Sequence, residues 1–378
     1  MKIHTVERSE YTEYFLTLGG EGGQPLKKPP RPALAEVGAF LAEKGIQPIQ
    51  EKLYGKLSAK REILETRKAV FREHGLDPSL PLTFIEGCPS STEDFSGVQL
   101  WGISPRNRGE AAVSTIECPG NIKGRSWSAA GGRFVYLPSV RGKNSNGAQP
   151  PDAPRQAEQM FNNATRCLDA HGLSFLHVVR TWIYISWFGN WYGKFNAART
   201  AHFKKHGLIR ENGDSYLPAS TGIQGRGGDE ECLMDVLALS PGESGEVQAR
   251  LLGNKRQNEA FSYGSAFSRG AVVDMEEKKM VFVSGTASIN EEGKTVYLDD
   301  PEGQAMETLL NIASILEAEG GSLKDICMAT VFCKNEESLE AYQRISRLLC
   351  LPAFPSVTLI TDICRPELLI EIEATAVC

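Results

Sequence analysis

No segment of the chain approaches the roughly 18 consecutive apolar residues that a membrane helix needs, and the opening stretch MKIHTVERSEYTEYF has no apolar core of signal-peptide length. Both absences point to the cytoplasm. Lys/Arg-rich runs are missing too, and a formal charge of −6 with a pI near 5.7 leaves no basic footprint for nucleic acid or an anionic membrane. Nine cysteines are present, none in CxxC or other zinc spacing, so reduced thiols are expected rather than a disulfide framework. The sequon at Asn163-Ala164-Thr165 is then without meaning. No serine–histidine or cysteine–histidine arrangement can be assembled, and the glycines of LGGEGGQ and GRGGDE lack the strand-before, helix-after context of a phosphate loop. No cofactor and no metal are expected. His202 and His206 have helical i, i+4 spacing but no third ligand, and a surface helix is the expected setting.

What is present is a soluble composition, 41% hydrophobic and 23% charged over 378 residues, enough for two or three compact domains. It also contains a repeat. RQAEQMFNNATRCLDAHGLSFLHVVRTWIYIS lies over GQAMETLLNIASILEAEGGSLKDICMATVFCK with Gln156 on Gln304, Asn163 on Asn311, Gly172 on Gly320 and Ser174 on Ser322. Carried backward, the same offset puts Phe134-Val135 on Phe282-Val283. Carried forward past a loop of different length, Pro218-Ala219-Ser220-Thr221 meets Pro355-Ser356-Val357-Thr358, and LMDVLALS (233–240) meets LIEIEATA (369–376), which places Leu237 at the position of Glu373. Two modules, 128–240 and 268–378, thus share the order strand, strand, helix, strand, helix, strand, strand. Residues 1–104 follow the same order with faint identity and read as a degenerate third copy. The alternation predicts α/β (α+β layered) units with helices on one sheet face. The other faces must be buried, and three modules can bury theirs against one another around a common axis.

The strand in HVVRTWIYIS poses a question. Val179, Thr181, Ile183 and Ile185 share one face; Arg180, Trp182 and Tyr184 share the other. An arginine flanked by aromatics on a face that should avoid water is expected to look into a cleft between modules and grip a carboxylate, the alternative being a structural ion pair at a buried interface. Arg199, Arg256 and Arg269 are further candidate forks for carboxylates. Glu371 and Glu373 lie two apart on a predicted strand, hence on one face, about 7 Å from each other. In a partly dry cleft they cannot both ionise cheaply, so one should stay protonated near neutrality and be able to deliver a proton. The alternative is an edge-strand glutamate in solvent. Cys364, shortly before this strand, is expected either to touch substrate or to be a buried thiol.

FVSGTASI, EAEGGSLKDI, ATVF, AYQRI and LLIEIEATAV, taken in order, resemble the Rid (YjgF) superfamily. That resemblance implies three Rid-like (chorismate-mutase-like) modules forming an intrachain pseudo-trimer with clefts at the module interfaces, either as a monomer or as a low homo-oligomer. It also favours Glu373 as the catalytic acid, with Glu371 as its neighbour. VVRTWIYI, KFNAART, LPASTGI, NKRQNEAFSYGSAFSR and VSGTASI resemble the chorismatases more narrowly. This implies cleavage of the enolpyruvyl ether of chorismate, or of a related small carboxylated metabolite, in secondary metabolism; Arg180, Trp182, Tyr184, Arg199, Arg269 and Cys364 are the candidates that the residues themselves offer for binding it. The chain departs from that pattern at Asn290-Glu291-Glu292, where a histidine is usual, and in the loop SWFGNWYGK. Deaminating Rid proteins carry an arginine in a PxR stretch where this chain has Val357 and, in module two, Ser220, which disfavours simple imine deamination. A Rid-type imine or enamine hydrolase of altered specificity and a non-catalytic metabolite-binding pseudo-trimer are the other readings.

Overall fold

The computed structural model describes the chain apart from residues 21, 23, 25, 89–93, 108–111, 145, 211–214 and 243–246. Two positions of the LGGEGGQ stretch are therefore outside the described residues. Module one holds β1 (Lys2–Glu7), β2 (Tyr11–Leu18), α1 (Pro30–Lys44), β3 (Gln47–Gly55), α2 (Lys60–Glu73), β4 (Thr83–Glu86) and β5 (Phe95–Pro105). Module two holds β6 (Val113–Cys118), β7 (Ile122–Ala129), β8 (Gly132–Arg141), α3 (Ala153–Ala170), β9 (Val178–Ile185), α4 (Tyr192–Lys205), β10 (Ala219–Gln224) and β11 (Cys232–Ser240). Module three holds β12 (Val247–Leu252), β13 (Gly270–Met275), β14 (Lys278–Ala287), α5 (Pro301–Glu317), β15 (Ile326–Cys333), α6 (Glu336–Leu348), β16 (Ser356–Ile360) and β17 (Ile370–Val377). The sheets run β1-β2-β5-β3-β4, β10-β9-β11-β8-β7-β6 and β12-β13-β14-β17-β15-β16, each ending in one parallel pair (β3 with β4, β9 with β10, β15 with β16). The second and third sheets thus take in β6 and β12, which lie before the boundaries suggested by the repeat.

Each sheet carries its two long helices on one face over its own apolar core, as the alternation predicted. The three remaining faces meet in a common core to which every module contributes large side chains, among them Tyr54, Trp101, Trp127, Tyr136, Trp182 and Phe282. The parallel edge strands close the ring. β4 leads to module two, where Glu86 N–H donates to Arg226 O at 2.7 Å; β10 docks on module three, where Ser220 N–H donates to Ser284 Oγ at 2.9 Å; β16 docks on module one, where Ile360 N–H donates to Cys88 O at 3.0 Å.

The side chains that made the repeat legible are staples. Asn163 on α3 donates to the carbonyls of Arg141, the last residue of β8, and Lys143, and Asn311 on α5 donates to those of Ala287, the last residue of β14, and Ile289. Gln156 accepts from Glu231 N–H and Gln304 from Leu369 N–H, tying each helix to the strand that closes its module. Asp152 and Asp300 cap the two helices. These pairs also correct the register. Arg141 corresponds to Ala287 and Glu231 to Leu369, so module three has two more residues between its strand and helix, and Phe134-Val135 does not superpose on Phe282-Val283. Trp182 pairs with Asp235 as Thr330 pairs with Glu373, so Asp235, not Leu237, stands at the position of Glu373, and Leu233 stands at that of Glu371.

Candidate active site

β17 passes through the middle of its sheet, with Glu371 opposite Phe332 and Glu373 opposite Thr330 on β15. Both carboxyls leave the same face, as the spacing requires, and both are about 95% buried. Their surroundings differ. Glu373 Oε2 accepts from Arg180 Nη2 at 2.9 Å, and its Oε1 accepts from Thr330 Oγ1 at 3.1 Å; Arg180 also donates to Thr221 Oγ1 at 2.6 Å. Trp182 lies between two cations, with Lys52 Nζ 4.3 Å and Arg180 Cζ 4.9 Å from its ring centre. Tyr184 is buried beside them. The space in this axial cluster is about 10 Å³, at most one water. The space that Arg180, Trp182 and Glu373 line is thus too small for a substrate-sized molecule. The Arg-Trp-Tyr face looks at the common axis, and the alternative of a structural ion pair is what the structure contains. Burial pulls the Arg180 guanidinium down to about 10 while Glu373 opposes the shift.

Glu371 faces a cavity of about 270 Å³ between modules two and three. The room for its carboxyl comes from a bulge in β14, where the pairing with β17 slips between Val283 and Thr286. Gly285 sits in that bulge, and a Cβ there would lie 2.1 Å from Glu371 Oε1. Any side chain at this position would displace the Glu371 carboxyl from where it now lies. Desolvation, reinforced by the charge of Glu373, pushes Glu371 up to about 8, against the pull of Arg180 and Arg269. The expectation of one carboxyl held protonated near neutrality thus falls on Glu371, and the catalytic role foreseen for Glu373 is reassigned to Glu371 as a proposal.

Cations converge from both modules. Arg199, on α4, is 2% exposed and donates to Asn196 Oδ1 at 2.8 Å; Arg269, just before β13, is 1% exposed and donates through Nε to Asn258 O at 2.8 Å. Both guanidinium carbons lie 5.8 Å from the centre of the Phe267 ring, so the two forks flank one aromatic. Arg365 joins them, donating to Gly293 O at 2.9 Å. Cys364 lines the cavity as a neutral thiol pushed up to about 12 by desolvation and the charge of Glu371. Tyr192 and Ser220 complete the module-two wall.

Of the residues singled out from sequence, Glu371, Arg199, Arg269 and Cys364 are brought together, and Arg180, Trp182, Tyr184 and Glu373 form the separate axial cluster. Arg256 is elsewhere, paired with Glu307 at 3.0 Å on α5. Asn290 sits in a turn and accepts from the N–H groups of Glu292 and Lys294 rather than lining the cavity. His202 is not on a surface but packed among Phe161, Phe175 and Phe203, its Nε2 3.0 Å from Thr165 Oγ1. Among the described residues no cluster of His, Cys, Asp and Glu suited to a metal ion is found, and no helix is long and apolar enough to cross a membrane. Sequence reasoning missed Tyr192, Arg365, Phe267 and Gly285. Tyr192 belongs to the unusual loop SWFGNWYGK, and Gly285 to the quoted motif VSGTASI.

Residues 259–378 match the family described as endoribonuclease L-PSP. A chorismatase from Streptomyces rapamycinicus is 26% identical over 318 residues, covering 77% of this chain and 87% of that protein. One from Streptomyces hygroscopicus is 27% identical over 214 residues, 52% and 60% of the two chains. A crystal structure of a chorismatase superposes with a TM-score of 0.64 over 98% of this chain and 100% of its own at 19% identity, which is a likeness of fold.

Proposed function

For this Rid-superfamily chain with the architecture of a chorismatase, we propose an enzyme that cleaves the enolpyruvyl ether of chorismate or a closely related carboxylated enol ether, with Glu371 as the proton donor. The observation that carries the reading is a carboxyl group poised near neutral pH at the wall of a cavity to which two modules contribute buried guanidinium groups. An enol ether needs an acid, and its substrate's two carboxylates need forks.

In the proposed reaction Arg199 and Arg269, with Arg365 nearby, hold the carboxylates. The Glu371 carboxyl gives its proton to the vinyl methylene carbon, leaving an oxocarbenium ion at the ether carbon. Water adds to that carbon as the Glu371 carboxylate accepts a proton from it. The hemiketal then collapses: its hydroxyl loses a proton as the bond from its carbon to the ether oxygen breaks and that oxygen, left on the ring, takes up the proton from Glu371, releasing pyruvate and a dihydroxycyclohexadiene carboxylate; loss of water from the ring is the route to a hydroxybenzoate. Neither β10, with Ser220 and Thr221, nor β16, with Ser356 and Val357, carries the PxR arginine of deaminating Rid proteins, which favours this reading over imine hydrolysis. The proposal extends to a cytoplasmic enzyme of secondary metabolism that acts on a small metabolite and completes its site within one chain. The test is incubation with chorismate, following pyruvate through a coupled dehydrogenase. Pyruvate formed stoichiometrically with loss of chorismate is the expected result; none at high enzyme concentration contradicts the proposal.

A further inference from the structure

The ring contains three module interfaces, and the one between modules one and two encloses a cavity of the same size as the candidate active site, about 270 Å³. Several of their lining positions correspond, although this second cavity is lined by module one with Arg141 as the contribution of module two. Lys60 and Tyr192 each open a 14-residue helix, α2 and α4, and Arg67 and Arg199 are each eighth in theirs. Thr83 pairs with Lys52 as Thr221 pairs with Trp182, which sets Phe84 where Gly222 is. Arg141 and Ala287 each end the strand whose last carbonyl is stapled by Asn163 or Asn311.

The chemistry has been exchanged throughout. Glu371 is replaced by Leu233, so no acid is present. Arg67 no longer faces a ligand, because Glu51 takes its Nε at 3.1 Å and its Nη2 at 2.6 Å and Pro78 O takes its Nη1 at 2.7 Å. Lys60, Lys68 and Arg141 line the pocket in its place, beside an apolar wall that includes Leu64, Leu82 and Phe84; no carboxylate is among the lining residues. Lys68 is held by Glu65 at 2.9 Å on the exposed rim, and Lys60 donates to Gly227 O and lies 5.7 Å from the Phe84 ring centre. Arg141 reaches only 3.6 Å from Glu230, longer than a hydrogen bond, and its Nε is buried with no partner. The ion pair with Glu230 is loose, and the Arg141 side chain, 29% exposed, keeps surface at the cavity where it can meet a ligand oxygen.

We infer that this cavity is a second, non-catalytic site that takes a small monoanionic carboxylate with an apolar ring, the carboxylate on Arg141 and Lys60 and the ring on Leu82 and Phe84. The class follows from the wall: a bare inorganic anion would leave the apolar side unused, and a neutral ring would leave the cationic side, Lys60 and Arg141, unused.

The probe is 4-bromobenzoate, used with the full chain. Calorimetry should detect binding, and in a crystal soaked with the probe the anomalous bromine peak should lie between α2 and β4. The paired variant Arg141→Gln/Glu230→Gln, which keeps the buried charges balanced, should bind at least tenfold more weakly at this site with an unchanged circular dichroism spectrum. Lys60→Met, at the start of its helix, should weaken binding severalfold and serves if the paired variant does not fold. A bromine peak only in the cavity of Glu371, no peak at saturating probe, or unchanged affinity in the variants would overturn the assignment. Competition by inorganic phosphate as strong as by benzoate would overturn the apolar ring. The readout is binding and not turnover, so its failure leaves the proposed reaction standing.

Discussion

Glu371 and Glu373 differ by two positions on one strand, share a face and are equally buried, yet one lies against a cavity and the other in an ion pair. Burial alone therefore assigns no role. The difference comes from module two: β9 sends Arg180 to Glu373, whereas Glu371 receives only the empty space opened by Gly285 and the more distant pull of two arginines. A buried carboxylate with a matched cation is a structural part, and a buried carboxyl beside a cavity without one is held in its protonated form.

The largest effect that can break this comparison is on turnover. Glu371→Gln keeps size and hydrogen bonding but carries no transferable proton, and should lower the rate of pyruvate release by roughly two to four decades. Glu373→Gln should stay within about tenfold of the parent enzyme at a temperature where it is folded. The opposite ranking would reverse the assignment.

Stability should rank the other way. Arg180→Met leaves the Glu373 carboxylate buried without its cation and should cost about 3–5 kcal/mol in urea unfolding, whereas Arg180→Met/Glu373→Met should recover most of that loss. Additive losses in the double variant would mean that the pair is not a unit.

Arg269→Lys exchanges a fork for a point charge at the cavity, a loss of about 1.5–3 kcal/mol for a charged hydrogen bond. KM should rise by roughly one to two decades with a smaller change in kcat. A normal KM would remove Arg269 from the carboxylate site.

The smallest effect is on the pH dependence of stability. Glu371 is raised to about 8 from an ordinary 4.5, so the stability it contributes is fully present below about pH 4.5 and is lost as pH rises through 8. Relative to the parent, Glu371→Gln should therefore gain stability between pH 5 and pH 9, by on the order of 1–3 kcal/mol. Parallel unfolding curves at both pH values would contradict the raised value.

The repeat was legible because Gln156/Gln304 and Asn163/Asn311 perform the same backbone stapling in both modules, and such residues are fixed by geometry. The two-residue slip was not, because the match of Phe134-Val135 to Phe282-Val283 only reflects that any central strand accepts such pairs. The shared face of the two glutamates followed from strand periodicity. Which of them meets a cation did not, since Arg180 lies 193 positions away and its side chain is aimed by the packing of three sheets around one axis. The same packing hid the fate of Trp182 and Tyr184, which read equally well as cleft or axis.

The most direct measurement is the infrared difference spectrum between the parent protein and Glu371→Gln across pH. Over the constant contribution of Glu13 and Asp235, whose carboxyls burial also raises, a carbonyl-stretch band of a protonated carboxyl should be present at pH 7 in the parent, lost in Glu371→Gln, retained in Glu373→Gln, and should titrate away near pH 8. Its absence at pH 7, or its loss on replacing Glu373 instead, would contradict the assignment of Glu371 as the acid.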